Sequence, residues 1–426
     1  MQENILHFIW QCQYFSFTEA KTTEGELVQV LHQGIHNTNA GPDFSQAKVK
    51  VGDVEWNGDV EIHVNSMDWA THQHHTDEAY NKVVLHVVWQ ANGDVFRKDG
   101  TPLPTLELKN LVDDDLMNRA LGLIESIDLI PCSTQIDKVS EFTVLETIHR
   151  ALVKRLERKA QVVMKELSAS QGDWSEVAYR LLMRQMGMKI NGDPFYNLAE
   201  LVPYKLLRKY KHSTEPLEAI LFGASGLLNS SKGDEYVEKL RKEYDYIAHK
   251  HTLTKKLNTQ QWKFLRLRPS NFPTLRIAQV ASIIRCPDNI FESLVEFKNI
   301  NELMNRLKVK TSLYWNSHYR FGAEANQPVP SIGKMSIELI LLNVVAPLLA
   351  AYSLHISDNS YMDKAVALME ALKPEKNRII KRWSEINIKP ENGAESQGLI
   401  ELFNEHCQQK ACLTCGIGYK LLNYNS

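Results

Sequence analysis

The feature that most constrains this chain is segment 39–89, which alternates apolar and polar residues as β-strands do and is dense in acidic residues and histidines. In the strand Asp59–Val64 the alternation is strict, so Asp59, Glu61 and His63 point to one face of a sheet. A solvated polar face would explain this strand taken alone. The neighbouring sequence favours a chemical role instead. The segment carries Asp43, Asp59, Glu61, His63, Asp68, His72, His74, His75 and Asp77.

Two registers are open for the hairpin that this strand forms with the strand before it. A reversal at Asn57–Gly58 leaves Asp43 far from Glu61, at the protein surface. A reversal at Gly52–Asp53, with a one-residue bulge at Asn57–Gly58, places Asp43 opposite His63. We favour the second register because it gives both glycine-containing pairs a role. It predicts that the two carboxylates and His63 are near enough to share a divalent ion.

These residues resemble the core motif of the PD-(D/E)XK nuclease superfamily. Gly41-Pro42-Asp43 is followed at hairpin distance by Glu61-Ile62-His63, with His63 in the place where the superfamily usually has lysine. The resemblance implies that Asp43, Glu61 and the backbone carbonyl of Ile62 hold Mg²⁺ or Mn²⁺, and that His63 activates the attacking water or contacts the phosphate. The order of elements is also similar: a helix, a strand, the hairpin, a helical stretch and a hydrophobic strand.

Further histidines follow this hairpin. His72, His74 and His75 could supply imidazole ligands to Zn²⁺, Mn²⁺ or Fe²⁺, could contact a phosphate, or could form ordinary polar surface. His86 lies on an alternating apolar strand, so we expect a hydrogen-bonded core histidine there.

Length and composition describe an ordinary globular protein of two or three domains: 426 residues, 43% hydrophobic and 23% charged. We predict an α+β or α/β fold with three parts. Residues 1–130 form a mixed-sheet, restriction-endonuclease-like domain, residues 131–260 a helical domain, and residues 261–426 a helical domain with a C-terminal cysteine site. The net charge of −2 gives no global basic field, so a nuclease would need a local basic patch.

The sequence predicts a cytoplasmic protein without a membrane partner. The N-terminus has neither a basic region nor a long apolar run, as a signal peptide would. Segment 335–354 is strongly apolar, but Glu338, Asn343 and Pro347 interrupt it. We therefore expect a buried core helix at this segment.

One stretch, 262–276, interleaves basic residues with aromatic residues and prolines. Lys263, Arg266, Arg268 and Arg276 form the best candidate for a phosphate-binding surface, because guanidinium groups bind phosphates and aromatic rings stack on bases. The same arginines could instead pair with core carboxylates or carbonyls. A second aromatic and basic cluster, 314–322, could line the same groove or serve packing.

The C-terminal cysteines have the spacing of a metal site. Cys407-x4-Cys412-x2-Cys415 suits tetrahedral Zn²⁺ or an iron–sulfur cluster of structural importance, and cysteines without export signals indicate a reducing compartment. Cys132 is our first choice for the fourth ligand. Cys286, Cys12 and His406 are the alternatives. Some nucleases of the superfamily named above have a similar arrangement around an iron–sulfur cluster.

Three functional hypotheses follow. The first is a divalent-metal-dependent phosphodiesterase, a hydrolase that acts on DNA or RNA. The second is a non-catalytic module that binds nucleic acid or protein and retains the nuclease fold, which the His-for-Lys change favours. The third is a metal hydrolase built on His72, His74 and His75. The whole chain also resembles an uncharacterised bacterial family known only as a domain of unknown function, and this resemblance implies no activity.

Overall fold

The computed structural model of this chain describes residues 2–229, 234–285 and 288–423. It is a mixed α+β structure, with a mixed sheet in the N-terminal part and mainly helices after it. The coarse fold class predicted from the sequence is therefore confirmed.

The strands are β1 Val28–His32, β2 Ile35–His36, β3 Phe44–Val51, β4 Val54–Asn65, β5 Val83–Gln90, β6 Thr105–Glu107, β7 His318–Arg320 and β8 Ala323–Glu324. The helices are α1 Glu3–Cys12, α2 Asp68–Thr71, α3 Asp114–Ile124, α4 Glu141–Ala169, α5 Trp174–Met186, α6 Met188–Leu201, α7 Tyr204–Arg208, α8 Thr214–Ala224, α9 Glu235–His251, α10 Pro273–Ile284, α11 Ile290–Val295, α12 Ile300–Leu307, α13 Lys334–Ile340, α14 Ala346–Ile356, α15 Ser360–Glu370, α16 Arg378–Glu385, α17 Gly393–Leu402 and α18 Gly416–Leu422. Two π-helical turns, Leu341–Val345 and Phe403–Cys407, continue α13 and α17.

The main sheet has the strand order β1-β3-β4-β5-β6, and β2 also pairs with β3. The first pairs are antiparallel, whereas β4 pairs with β5 and β5 with β6 in parallel. The chain returns from β4 to β5 through α2 and the short 3₁₀ turn Glu78–Tyr80, as a parallel pair requires. Residues Val83 to Val88 of β5 are all buried, which explains why this strand is an almost continuous apolar run.

The β3–β4 hairpin reverses at Gly52–Asp53, since Val51 pairs with Val54. This confirms the preferred register at the turn. The predicted bulge at Asn57–Gly58 is wrong, because the register shifts on the opposite strand, between Phe44 and Ala47. Gln46 takes a left-handed backbone conformation there, with φ 58°.

The position of the bulge decides which residues face each other. Phe44 pairs with Val60, so Asp43 lies opposite Glu61 rather than opposite His63 as predicted. Gly58 is required for another reason: a Cβ atom there would lie 2.4 Å from the Lys82 carbonyl oxygen and from Val84 Cγ1. Strand β5 can therefore approach β4 closely only because residue 58 is glycine.

The chain divides into two compact units. Unit 1 consists of Met1–Ile148 and Glu401–Ser426, and unit 2 of His149–Ile400. This differs from the three predicted domains. The boundary expected near residue 260 falls inside a single apolar core that runs from Leu152 to Ala394. The boundary expected near residue 130 falls inside unit 1.

One helix in the described part of the chain, Lys334–Ile356, is long and apolar enough to cross a membrane by length and composition, but 67% of its apolar window is buried. Leu341, Val345 and Leu348 are fully buried in the core of unit 2. The segment therefore packs as the core helix that the sequence predicted.

Replacing Gly58 by alanine should destabilise unit 1. The new methyl group would lie 2.4 Å from the Lys82 carbonyl oxygen and from Val84 Cγ1 of β5, and overpacking of this kind costs about 1–3 kcal/mol. Urea unfolding followed by tryptophan fluorescence measures the loss. Gly122→Ala in α3 is the matched control, because its Cβ would meet no atom within 4 Å. Alanine in a helix should be neutral or stabilising there. Equal stability of the two variants would contradict the close approach of β5 to β4.

Candidate metal centre

Two carboxylates meet at the start of β3, and each accepts a hydrogen bond from a backbone N–H of the opposite strand segment. The Asp43 N–H donates to Glu61 Oε2 at 3.1 Å, and the Ile62 N–H donates to Asp43 Oδ2 at 2.9 Å. His7 of α1 places its Nε2 3.3 Å from the same Asp43 oxygen. The pair that the sequence predicted is thus brought together. Whether the Ile62 carbonyl binds a metal stays a prediction.

The second carboxylate oxygen of Glu61 faces a group of imidazoles. Glu61 Oε1 lies 3.3 Å from His74 Nε2 and 3.6 Å from His63 Nε2. His63 Nε2 in turn lies 3.1 Å from His72 Nδ1. We call His63, His72 and His74 the histidine cluster; its three ligand atoms lie within 4.8 Å of one another.

The local backbone explains how two of these histidines reach β4. His72 ends α2, and Gln73 follows it in the left-handed conformation with φ 61°. This turn allows the side chains of His72 and His74 to point to the same side. The His74 ring stacks on Tyr80 with 3.8 Å between ring centroids, which orients the imidazole. His75 is exposed and does not belong to the cluster.

The distances suit a coordinated cation. Zinc–nitrogen and zinc–oxygen bonds of about 2.0–2.2 Å separate neighbouring ligand atoms by about 3.0–3.5 Å. The contacts from Glu61 Oε1 and between His63 and His72 are 3.1 to 3.6 Å. These three contacts have the separations of ligands to one ion, and the other pairs of ligand atoms would have to draw closer to bind it.

A fourth histidine supports the cluster from behind. His86 of β5 is fully buried, and its Nε2 lies 2.8 Å from His63 Nδ1. If His63 Nδ1 carries the proton, it donates to His86 and leaves Nε2 as the metal-binding nitrogen. Such outer partners fix the tautomer and orientation of a ligating histidine. The expectation of a hydrogen-bonded core histidine is confirmed for His86.

The site perturbs the acidity of its own groups. Burial, followed by the charge of Asp43, raises the pKa of Glu61 to about 9. Burial, followed by the charges of His74 and His72, lowers the pKa of His63 to about 4. Burial opposes ionisation of Asp43, but the nearby His7 and the hydrogen bond from the Ile62 N–H lower its pKa overall. His63 is therefore neutral near pH 7, as a metal ligand must be, and a cation would replace the proton on Glu61.

A cavity of about 310 Å³ lies beside the histidine cluster. It is lined by Trp69, His74, Tyr80, Asn81, Arg97, Lys98 and Asp99. Arg97 donates to the carbonyls of Val83 and Pro102, whereas Lys98 is half-exposed and pairs only at 3.4 Å with Glu78. His74 thus borders a space that also contains two cationic side chains.

The cysteines of the predicted metal site all lie in unit 1. Cys132, Cys407 and Cys412 are buried, Cys415 is half-buried, and no disulfide joins the described cysteines. We call these four residues the cysteine cluster. Burial, followed by the charges of the neighbouring thiols, raises the pKa of Cys132 to about 12 and raises that of Cys407 further.

Hydrogen bonds join the loop between Cys407 and Cys412 to the segment before Cys132. Lys410 Nζ donates to the carbonyl oxygens of Asp128, at 3.0 Å, and Ser126. Cys412 Sγ contacts the Leu123 carbonyl oxygen at 3.8 Å. Among the alternative fourth ligands, Cys12 lies in α1, whereas Cys286 lies outside the described residues.

The predicted phosphate-binding residues divide into two groups. Lys263, Arg266 and Arg268 are exposed. The prediction is wrong for Arg276, which is only 3% exposed and donates to Asn271, Gln279 and Ser336. The reason is that α10 is buried along its entire length, so both terminal nitrogens of its arginine donate to side chains inside unit 2. Residues 314–322 also contribute to packing, and Trp315 is fully buried.

Sequence reasoning missed His7. It lies between buried apolar residues of α1, and nothing in its spacing relates it to Asp43. It also did not link His63 to His72 and His74, since only the turn at Gln73 brings them together.

Fold and site together define a mixed-sheet unit with a candidate metal centre, followed by a helical unit. The chain belongs to the family described as "Protein of unknown function (DUF2851)", whose model matches residues 3–378. This confirms the predicted resemblance to a domain of unknown function. The match includes the histidine cluster and Cys132 and ends before Cys407. No curated protein and no solved structure matches the chain.

Metal-free protein should lose stability as the pH rises. The pKa of Glu61 is raised from 4.5 to about 9, so the stability linked to its protonation is complete below pH 4.5 and is lost as the pH approaches 9. Glu61→Gln should flatten this loss. Urea unfolding at pH 5, 7 and 9 in a chelator measures it, with Glu24→Gln, an exposed residue, as the control. Parallel profiles for Glu61→Gln and the wild type would refute the assignment.

Proposed function

We propose that this protein is a divalent-metal-dependent phosphodiesterase that acts on DNA or RNA. Its metal would be held by Glu61 Oε1, His63 Nε2, His72 Nδ1 and His74 Nε2. The observation that carries the proposal is the histidine cluster beside the Asp43–Glu61 pair, with Glu61 Oε1 in contact with His74 and His63. An acidic pair and three imidazoles in one partly buried site are costly without a cation to balance them.

The donor set favours some metals over others. A carboxylate pair alone suits Mg²⁺ or Mn²⁺, as expected from the sequence. Three imidazoles change this preference toward Zn²⁺, Mn²⁺ or Fe²⁺, since Mg²⁺ prefers oxygen ligands. Such an ion supplies Lewis acidity, which lowers the pKa of water and balances phosphate charge.

The ligand assignment changes the roles predicted for two residues. His63 would use Nε2 for the metal and Nδ1 for His86, so it would position the ion instead of acting as a base. Asp43 keeps a lowered pKa and is ionised near pH 7. It orients Glu61 through its backbone N–H and is the better candidate for holding the attacking water.

Two further observations support a phosphodiester substrate. The cavity beside His74 contains Arg97 and Lys98, and cationic groups at that position would attract a phosphate. The order α1, β1, β3, β4, the 3₁₀ turn Glu78–Tyr80 and β5 also follows the order of elements on which the nuclease resemblance rests, with a single 3₁₀ turn where a helical stretch was expected. The alternative of a non-catalytic binding module predicts neither metal affinity nor cleavage, and the next experiment separates the two.

His74→Ala should abolish metal-dependent cleavage, and His75→Ala should not. Both histidines lie in the same loop, but only His74 contacts Glu61. Loss of a direct ligand should weaken metal binding by more than about 100-fold, since even outer partners are worth 10–100-fold. The assay is cleavage of end-labelled single- and double-stranded DNA and RNA by anaerobically purified protein with Mn²⁺, Zn²⁺, Fe²⁺ or Mg²⁺, alongside calorimetric metal titration.

Three outcomes would be informative. Cleavage and metal binding that fail only in His74→Ala support the phosphodiesterase. Metal binding without cleavage of any substrate would support the metal site and refute the nuclease function. Equal effects of His74→Ala and His75→Ala would contradict the site itself.

We also propose that the cysteine cluster binds Zn²⁺ or an iron–sulfur cluster with a structural role. The spacing of Cys407, Cys412 and Cys415 and the hydrogen bonds from Lys410 toward the segment before Cys132 support this. Thiolate ligands would release their protons on binding, which offsets the high thiol pKa values. Bound metal would join residues 401–426 to the rest of unit 1.

Cys412→Ser should remove one metal equivalent, or one cluster, from anaerobically purified protein and lower the melting temperature. Cys12→Ser changes a half-buried cysteine of α1 in the same unit and should retain both, because Cys132 and not Cys12 is the proposed fourth ligand. Elemental analysis and visible absorption measure the content. His74→Ala should lose the metal of the histidine cluster and retain the metal of the cysteine cluster. Full metal content in Cys412→Ser would refute the cysteine site.

A further inference from the structure

A groove of about 750 Å³ in unit 2 concentrates positive charge. It is formed by α16 and the segments before and after this helix. Its cationic residues are Lys373, Lys376, Arg378, Lys381 and Lys389, and Glu375 is its one acidic residue. We call it the basic groove. The whole protein has a net charge of −2, so this is a local patch of the kind that a nucleic-acid enzyme needs.

The positive charges of the basic groove are largely uncompensated. All five cationic residues are exposed, and only Lys381 has a described acidic neighbour, Glu385 at 4.0 Å. The Glu375 carboxylate accepts hydrogen bonds from the side-chain amides of Gln397 and Asn377. It is therefore held by neutral donors and contacts none of the described cations.

Like charges this close repel one another, and a bound polyanion relieves that repulsion. The remaining walls include Pro374, Ile380 and Pro390, which offer apolar contact, and no aromatic side chain lines the groove among the described residues. Base stacking is therefore not expected. Contact with phosphates, independent of sequence, is what this lining favours.

We propose that the basic groove binds the phosphate backbone of a nucleic acid. The choice of nucleic acid as the polyanion rests on the proposed phosphodiesterase function, whereas binding itself needs no catalysis. The groove is also a better site than the stretch predicted from the sequence. In that stretch Arg276 is buried, which leaves Lys263, Arg266 and Arg268 on an exposed loop.

The test is fluorescence anisotropy with labelled single-stranded and duplex oligonucleotides of DNA and RNA over a range of salt concentrations. The full chain carries Glu61→Gln throughout, so that substrate stays intact. Lys376→Gln/Lys389→Gln should weaken binding about tenfold and reduce the slope of log K against log salt by about 0.7–0.9 per lost contact.

Two other double variants complete the design. Lys308→Gln/Lys310→Gln removes the same charge from exposed positions elsewhere in unit 2 and should bind as the parent does. Arg266→Gln/Arg268→Gln tests the competing loop. The proposal is supported if affinity and salt slope fall in the groove variant and stay unchanged in the control pair.

The proposal is overturned if the groove variant binds like its parent, if the control pair loses as much, or if only the loop variant loses affinity. Failure of the two proposals can be told apart. If the wild type binds through the groove but cleaves no substrate, the phosphodiesterase proposal is refuted and the binding proposal stands. If the groove substitutions change neither cleavage nor binding, only the binding proposal is refuted.

Discussion

The candidate site depends on one interaction, the pair of reciprocal hydrogen bonds between the strands β3 and β4. Asp43 donates its N–H to Glu61, and Ile62 donates its N–H to Asp43. Each carboxylate is therefore positioned by the backbone next to the other. This geometry requires the bulge at Gln46, because an unshifted hairpin would place Phe44 opposite Glu61. The loop His72–His74 places two imidazoles beside the carboxylates that the sheet positions.

The charges of this site would be balanced by the cation that we propose. Burial, followed by the charge of Asp43, raises the pKa of Glu61, whereas His7 lowers the pKa of Asp43. The buried His63 is neutral for the same reason of desolvation. A divalent ion reverses both penalties, since it stabilises carboxylate and neutral imidazole together.

Chain topology brings residues that are far apart in the sequence into the same unit. Residues 401–426 return to unit 1, which places Cys407–Cys415 in the same unit as Cys132. The helices between them share one core, so unit 2 is a single body in which α10 is buried and α16 presents its cations at the surface.

The sequence by itself determined the mixed α+β class, the turn at Gly52–Asp53, the shared face of Glu61 and His63, and the buried helix Lys334–Ile356. These features follow from local periodicity and turn chemistry, which operate over a few residues. Only the tertiary structure decided the strand that carries the bulge, the contact of His7 with Asp43, the burial of Arg276 and the extent of unit 2. Each of these depends on packing between segments far apart in the chain, and packing energy is shared among many residues, so no local pattern encodes it.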